Sequence, residues 1–496
     1  TFNFERSNIV ASNVVPLLIQ RNTMNTFLQN ALNTTTTANG AKTHKSSLNA
    51  CLDLFSMGIG SANKEALIAN ALKEEPVLAV KTILYLRDPR NGQGNKDIAR
   101  AFHNLTLNSK NGITIVKLKK LIKHLPEVGS WKDVYNLYGF NKTIDKEIIR
   151  LVSEALDKGD NLCAKWLKRQ SQFHKDLAKH LGLDLGVVRR WVADLTKVVE
   201  TTMCDKQWHT INYEHVPSRA NYIYSKAFLR NDNSRRSDFL AKAEAGKVSI
   251  KASVLYPHEI SSKATSDKSM QALWNALPNY MEDSERFNIL PIVDVSDSMS
   301  ERIAGSKTIS CMDVAVGLGL YVAERNEGAY KDVVCTFHTT PQLSRITGTL
   351  AEKVIATKRL PWGGSTNLQR TFELLLQNSV GAKPEDLPKV ILLISDMEFN
   401  QCDRGFQTNY NSIKAKYDAA GLTMPTIVFW RVNVLVPQQP VTMDTTGTIL
   451  INGFSASILK HILAMDINSL RDITPMNMFL QTVASKYPFV DDIIGK

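Results

Sequence analysis

The chain lacks the marks of several large protein classes. Its six cysteines, Cys51, Cys163, Cys204, Cys311, Cys335 and Cys402, form no Cys-x-x-Cys pair. That scatter argues against zinc ribbons and disulfide frameworks and fits a reducing interior. No stretch of about 18 consecutive apolar residues occurs, so no membrane-spanning helix is expected. The opening Thr1-Phe-Asn-Phe-Glu-Arg has neither the basic start nor the apolar core of a signal peptide. The Gly-Lys-Ser/Thr end of a phosphate-binding loop is absent, and so is the Gly-x-Ser-x-Gly turn of a serine hydrolase. With no paired base and nucleophile in view, the expectation is a non-enzymatic, cytoplasmic protein.

What is present is unevenly charged. The net charge is +12, yet residues 281–496 hold 20 Lys and Arg against 23 Asp and Glu. The remaining 40 basic and 25 acidic residues leave +15 on residues 1–280. A basic surplus confined to one region suggests a polyanionic partner, nucleic acid first and a membrane surface second.

Residues 1–45 read as a partly disordered N-terminal arm, because Asn33-Thr-Thr-Thr-Thr-Ala-Asn-Gly-Ala-Lys-Thr is polar and low in complexity. Residues 46–283 read as a basic, HEAT-like α-helical solenoid. Helix-length amphipathic stretches fall at 61–73, 76–86, 95–108, 113–124, 142–157, 161–181, 184–202, 217–230, 235–246 and 268–282. Residues 249–266 read as a non-helical connector.

Basic clusters punctuate this region. Arg87, Arg90 and Lys96 surround a Gly-rich turn whose backbone could approach a phosphate closely. Lys117, Lys119, Lys120 and Lys123 crowd one helix. Lys165, Lys168 and Arg169 flank Trp166, and Arg190 precedes Trp191. Arg219, Tyr222, Lys226 and Arg230 recur at three- and four-residue steps, so one helix face carries three cations and a ring. Such a face suits phosphates and stacked bases, or equally acids across a domain junction.

Residues 284–496 change character. Strand patterns at 288–294, 332–338, 388–395, 425–430 and 448–452 alternate with helical ones at 311–326, 366–379, 409–420 and 455–464. That alternation gives a doubly wound, Rossmann-like α/β domain. A last helix starts at Thr474-Pro475 and turns Met476, Phe479, Leu480 and Val483 to one side.

The first strand, Asn288-Ile-Leu-Pro-Ile-Val-Asp294, runs directly into Val-Ser296-Asp-Ser298. Ligands in such sheets bind beyond the carboxyl ends of the strands, and alternate oxygen side chains suit a hard divalent cation. A helix-opening Thr366 and the strand-end Asp396 follow in order. Together Asp294, Ser296, Ser298, Thr366 and Asp396 resemble the metal-ion-dependent adhesion site of von Willebrand factor A (vWA) domains. The resemblance implies Mg²⁺, with Mn²⁺ or Ca²⁺ as alternatives. One departure is Asp297, which stands where that pattern has Gly; it could join the site or face solvent.

A helical region followed by a vWA domain resembles the Ro autoantigen (TROVE) family. It resembles more closely an uncharacterised helical-plus-vWA family of plants, bacteria and large viruses. The matching stretches are Ala79-Val-Lys-Thr-Ile-Leu-Tyr-Leu-Arg-Asp-Pro-Arg-Asn-Gly-Gln-Gly, Val216-Pro-Ser-Arg-Ala, Ser225-Lys-Ala-Phe-Leu-Arg, Pro257-His-Glu-Ile and Ile394-Ser-Asp-Met-Glu-Phe. The Ro resemblance implies a ribonucleoprotein that holds small structured or single-stranded RNA. It makes Arg87, Arg90, Lys96, Arg219, Lys226 and Arg230 phosphate contacts, and leaves the cation site for an acidic partner. The competing expectation is an assembly component, for example of a virus particle, that acts through the vWA domain without specific RNA binding.

Overall fold

The computed structural model describes residues 28, 31–107, 113–167, 171–196, 198–282, 284–303, 306–337, 340–361, 367–401 and 408–495. The first strands lie where the sequence suggests a disordered loop. Thr34–Thr36 (β1) and Lys42–His44 (β2) form an antiparallel hairpin. Gly40 supplies the left-handed residue of its turn. The polar threonines are held by partners rather than by water: Thr37 and Thr43 are buried.

Helices follow from residue 50 to residue 275. Several long candidates are broken into shorter pieces. The 161–181 stretch becomes Asn161–Trp166 and Gln172–Leu181, and 217–230 becomes Ser218–Ile223 and Ser225–Asn231. The supposed connector carries a helix, Pro257–Ser261, because Pro257 takes the first helical position and Glu259 closes a capping box on Tyr256.

The second region holds six further strands. They are Ile289–Asp294 (β3), Val333–Phe337 (β4), Leu343–Arg345 (β5), Val390–Ser395 (β6), Thr426–Arg431 (β7) and Thr448–Asn452 (β8). They form one sheet in the order β5-β4-β3-β6-β7-β8. All neighbours run parallel except β4 and β5. β3, β6, β7 and β8 are buried along their whole length, as a sheet covered on both faces requires. The chain leaves β3 toward β4 and β5, then returns to β6 on the other side. The switch point therefore lies between β3 and β6.

Helix Cys311–Arg325 is buried on nearly every side. Two glycines make this fit. A Cβ at Gly319 would meet Val293 of β3 at 2.4 Å, and one at Gly317 would meet the Cα of His258 at 2.5 Å. The helix is thus pressed between the sheet and helix Pro257–Ser261. Phe479 of helix Pro475–Val483 lies 5.1 Å from Phe55 of helix Ala50–Met57, so the C-terminal helix packs back on the helical region. The apolar core runs without a break through both regions. Among the described residues no helix is long and apolar enough to cross a membrane.

Candidate cation site and basic face

Pairing β3 with β6 in register Val293 to Ile394 brings Asp294 beside the end of β6. Asp294 is fully buried. Its Oδ1 accepts from the Ser296 amide at 2.9 Å, and its Oδ2 accepts from the Ser395 hydroxyl at 2.6 Å. Ser296 and Ser298 hydroxyls lie 3.2 Å apart. Asp396 is also fully buried, with Oδ1 accepting from the Glu398 amide at 3.1 Å. Its Oδ2 has no hydrogen-bond partner among the described residues.

Two carboxylates in one water-poor place repel each other. Burial first, and the Asp396 charge second, push the Asp294 carboxyl well above the ordinary carboxylate range. A carboxyl oxygen without a partner among the described residues, a second carboxyl group and two hydroxyls suit a hard cation, which would complete the Asp396 shell. Among the described residues no three His, Cys, Asp or Glu side chains converge as a metal cluster, so the donors here are mainly hydroxyls and two acids. Thr366 lies outside the described residues. Asp297 is exposed, so the departure from the vWA pattern faces solvent.

Sequence reasoning missed the polar seam beside this pocket. Arg431, at the end of β7, is buried with Asp396, Glu398 and Asp53 around it; its Nη2 donates to the Gln438 carbonyl. Burial outweighs these acids and lowers the guanidinium to about 10. The signal was available: Arg431 ends an otherwise apolar strand, where an unpaired charge is costly.

The expected RNA contacts divide. Arg87 is a correction. It is buried, and its Nη2 and Nε reach Asp133 Oδ2 at 2.6 and 3.0 Å. A guanidinium buried against its own chain's carboxylate is not placed on the surface where a phosphate would lie. The Gly-rich turn is a second correction. A Cβ at Gly92 would sit 1.9 Å from the Tyr85 carbonyl, and one at Gly94, in the left-handed region, 2.2 Å from the Tyr256 hydroxyl. These glycines let the turn pack against the chain itself, not a ligand. Arg90 is exposed and donates to the Glu127 carbonyl at 2.7 Å.

Lys96, Arg219 and Lys226 do come together. Burial lowers the Lys96 ammonium, and the positive charges of Arg219, Arg87 and Arg100 lower it further against Asp133. Lys132 is lowered by burial and then by Lys96, Lys165 and Arg100. Lys263 is lowered mainly by burial, with Lys226 and Arg219 acting against Asp267 and Glu259. A chain of neighbouring cations thus runs Lys165, Lys132, Lys96, Arg219, Lys263, Lys226. Two rings are embedded in it. Lys132 and Lys165 lie 3.5 and 5.3 Å from the partly exposed Trp166 ring. Lys263 and Arg219 lie 3.7 and 5.9 Å from Tyr222. Acids temper the face: Arg219 reaches both Glu259 oxygens at 2.6 Å, and Lys165 pairs with Glu200 at 2.8 Å. Arg219 is thus paired with an acid of its own helical region, not with one across a domain junction. Arg230 extends the face, lining a shallow cavity with Lys226 and Lys268.

Sequence reasoning also passed over Arg100, Lys132 and Lys263, although Arg100 sits one turn beyond Lys96 on the same helix. Lys120 belongs elsewhere. Its helix, Ile115–Ile122, turns Lys117 to the Ile494 carbonyl and Lys119 to Glu147. Arg190 is exposed on helix Leu185–Leu195, and no contact among the described residues ties it to the basic face. Lys168 and Arg169 lie outside the described residues.

The chain has a relative matched over most of both chains. It is 30% identical over 516 residues to Uncharacterized protein L728 of Acanthamoeba polyphaga mimivirus, across 90% of this chain and 86% of that one. The chain belongs to the family of that protein. Within it, residues 288–478 match a domain of unknown function, DUF7788, and residues 187–286 match another, DUF2828. The first covers the sheet and the candidate cation site; the second covers Arg219, Lys226 and Arg230. Among solved structures the chain is similar to the Ro (RSR) protein of Deinococcus radiodurans, at 12% identity and a TM-score of 0.46, over 88% of this chain and all of that one.

Proposed function

We propose that this protein is a non-enzymatic RNA-binding protein in which a vWA-type cation site takes a carboxylate from a protein partner. The RNA reading is carried by one observation: Lys165, Lys132, Lys96, Arg219, Lys263 and Lys226 are successive neighbours around the Trp166 and Tyr222 rings. Cations in a row can follow a phosphate backbone, and accessible rings between them can stack bases of any sequence. The +15 charge of residues 1–280 adds long-range attraction.

The cation reading is supported by the buried Oδ2 of Asp396, which has no hydrogen-bond partner among the described residues and stands beside Asp294. Asp294, Ser296, Ser298 and Asp396 would hold Mg²⁺, and Thr366 is the remaining candidate donor. When bound, the cation supplies an electrophilic position for a partner's carboxylate. The chain's own part is to hold two acids desolvated and aimed at one point.

The test is purification at low salt, followed by the ratio of absorbance at 260 and 280 nm and digestion with RNase or DNase. RNase-sensitive, protected material supports RNA binding. A clean protein that also ignores added RNA at low salt overturns it, and favours an assembly role through the cation site.

A further inference from the structure

The hairpin β1–β2 is docked on the segment that follows β6. The Thr37 hydroxyl donates to the Phe399 carbonyl at 2.6 Å, and Asn39 Nδ2 donates to the Glu398 carbonyl at 2.6 Å. The Ala38 amide donates to Glu398 Oε2 at 2.8 Å, and Gly40 pairs with Asn400 as an antiparallel bridge. From the other side Thr43 reaches Gln438, whose Nε2 donates to the Met397 carbonyl at 2.8 Å. Met397, Glu398 and Phe399 are thus gripped at three successive carbonyls.

This segment begins one residue after Asp396. Met397 has φ +70°, a conformation a side chain of its size enters only when its surroundings hold it there. Its amide donates to the Ser395 hydroxyl, which in turn donates to Asp294. The Glu398 amide donates to Asp396 itself. One short peptide therefore reaches both buried carboxylates and, on its far side, the hairpin.

We infer that the N-terminal hairpin is a clamp for the cation site: it fixes Met397–Asn400 and thereby aims Asp396, so that hairpin docking and cation binding stabilise each other. The inference rests on the cation reading above. Thr37, Asn39 and Glu398 are positioning residues, acting through the backbone that carries Asp396. Coupling of this kind is reciprocal, so a bound cation must also tighten the hairpin.

The experiment uses the full chain and Mn²⁺ as the probe. Calorimetry should show that Thr37→Val combined with Asn39→Ala weakens Mn²⁺ binding by about tenfold or more, the usual effect of losing outer support at a metal site. Thr37→Ser, which keeps the hydroxyl, should bind like the unaltered chain. Hydrogen exchange on the unaltered chain should slow at the Ala38 and Gly40 amides when Mn²⁺ is added. Unchanged affinity in the folded double variant, or unchanged exchange at those amides, overturns the clamp while leaving the cation site standing. Failure of the unaltered chain to bind Mn²⁺ at all removes both.

Discussion

The helical region and the carboxyl end of the sheet handle charge in opposite ways. On the helical face, cations stand half in water beside rings, and several are only partly balanced by acids. At the carboxyl end of the sheet, Asp294, Asp396 and Glu398 are sealed from water, with Arg431 the buried cation beside them. Exposed charge is easily kept and adapts to many ligands. Buried charge of one sign is costly, and it persists where something compensates it. Under the proposed function, that contrast predicts broad, salt-sensitive binding for the first region and a single-point, geometry-sensitive contact for the second.

Arg87 is the sharpest probe of that division, since it belongs to the basic region by sequence and to the buried class by structure. Arg87→Ala strands Asp133 without its partner and should cost about 3–5 kcal/mol in chemical denaturation. Loss of RNA affinity in a variant that still unfolds at the ordinary denaturant concentration would instead put Arg87 on the binding face. Asp294→Ala comes next. With Mg²⁺ at about a hundred times its dissociation constant, the unaltered chain should gain about 2.7 kcal/mol of stability and the variant none. RNA affinity should stay the same; loss of both together would merge the two regions into one site.

Charge reversal at Lys96, Arg219 and Lys226 should weaken RNA binding. It should also flatten the salt dependence by roughly 0.7 in log-log slope for each single-strand phosphate no longer neutralised. Tyr222→Ala should cost about 1–3 kcal/mol of single-stranded RNA affinity with little change in that slope, because stacking releases few ions. A steep slope change at Tyr222 would mean that its neighbours had moved and that the ring itself does not stack.

The sheet was legible because parallel strands covered on both faces are near-continuous apolar runs. Ile289–Asp294 and Val390–Ser395 lead into acids that a reader can place at strand termini. The meeting of Asp294 with the end of β6 followed from topology, since adjacent parallel β3 and β6 bring their carboxyl ends together. The hairpin was illegible for the converse reason. A run of threonines looks unstructured by composition, and its partners, Glu398, Phe399 and Gln438, lie far along the chain. Arg87 misled because a cation in a Gly-rich turn reads the same whether it faces phosphate or Asp133. Only the position of Trp131–Tyr135 decides it.

Lys120→Glu carries the smallest expected effect and the most discriminating one. It alters the formal charge of the chain by the same amount as Lys96→Glu. If the +15 region attracted RNA only through its total charge, the two variants would lose equal affinity. The structure separates them. Lys96 stands among Arg219, Arg100 and Lys132, whereas Lys120 lies on a helix whose neighbours are turned toward Glu147 and the C-terminal helix Phe489–Ile494. At about 0.15 M salt, charges beyond about 8 Å are largely screened, so a distant reversal should be felt weakly. Filter binding at that salt should therefore show a clear loss for Lys96→Glu and little for Lys120→Glu. Lowering the salt to about 0.01 M lengthens screening to about 30 Å and should bring the two variants closer together. Equal losses at both salts would show that RNA follows net charge and that the row of cations around Trp166 and Tyr222 is not its path.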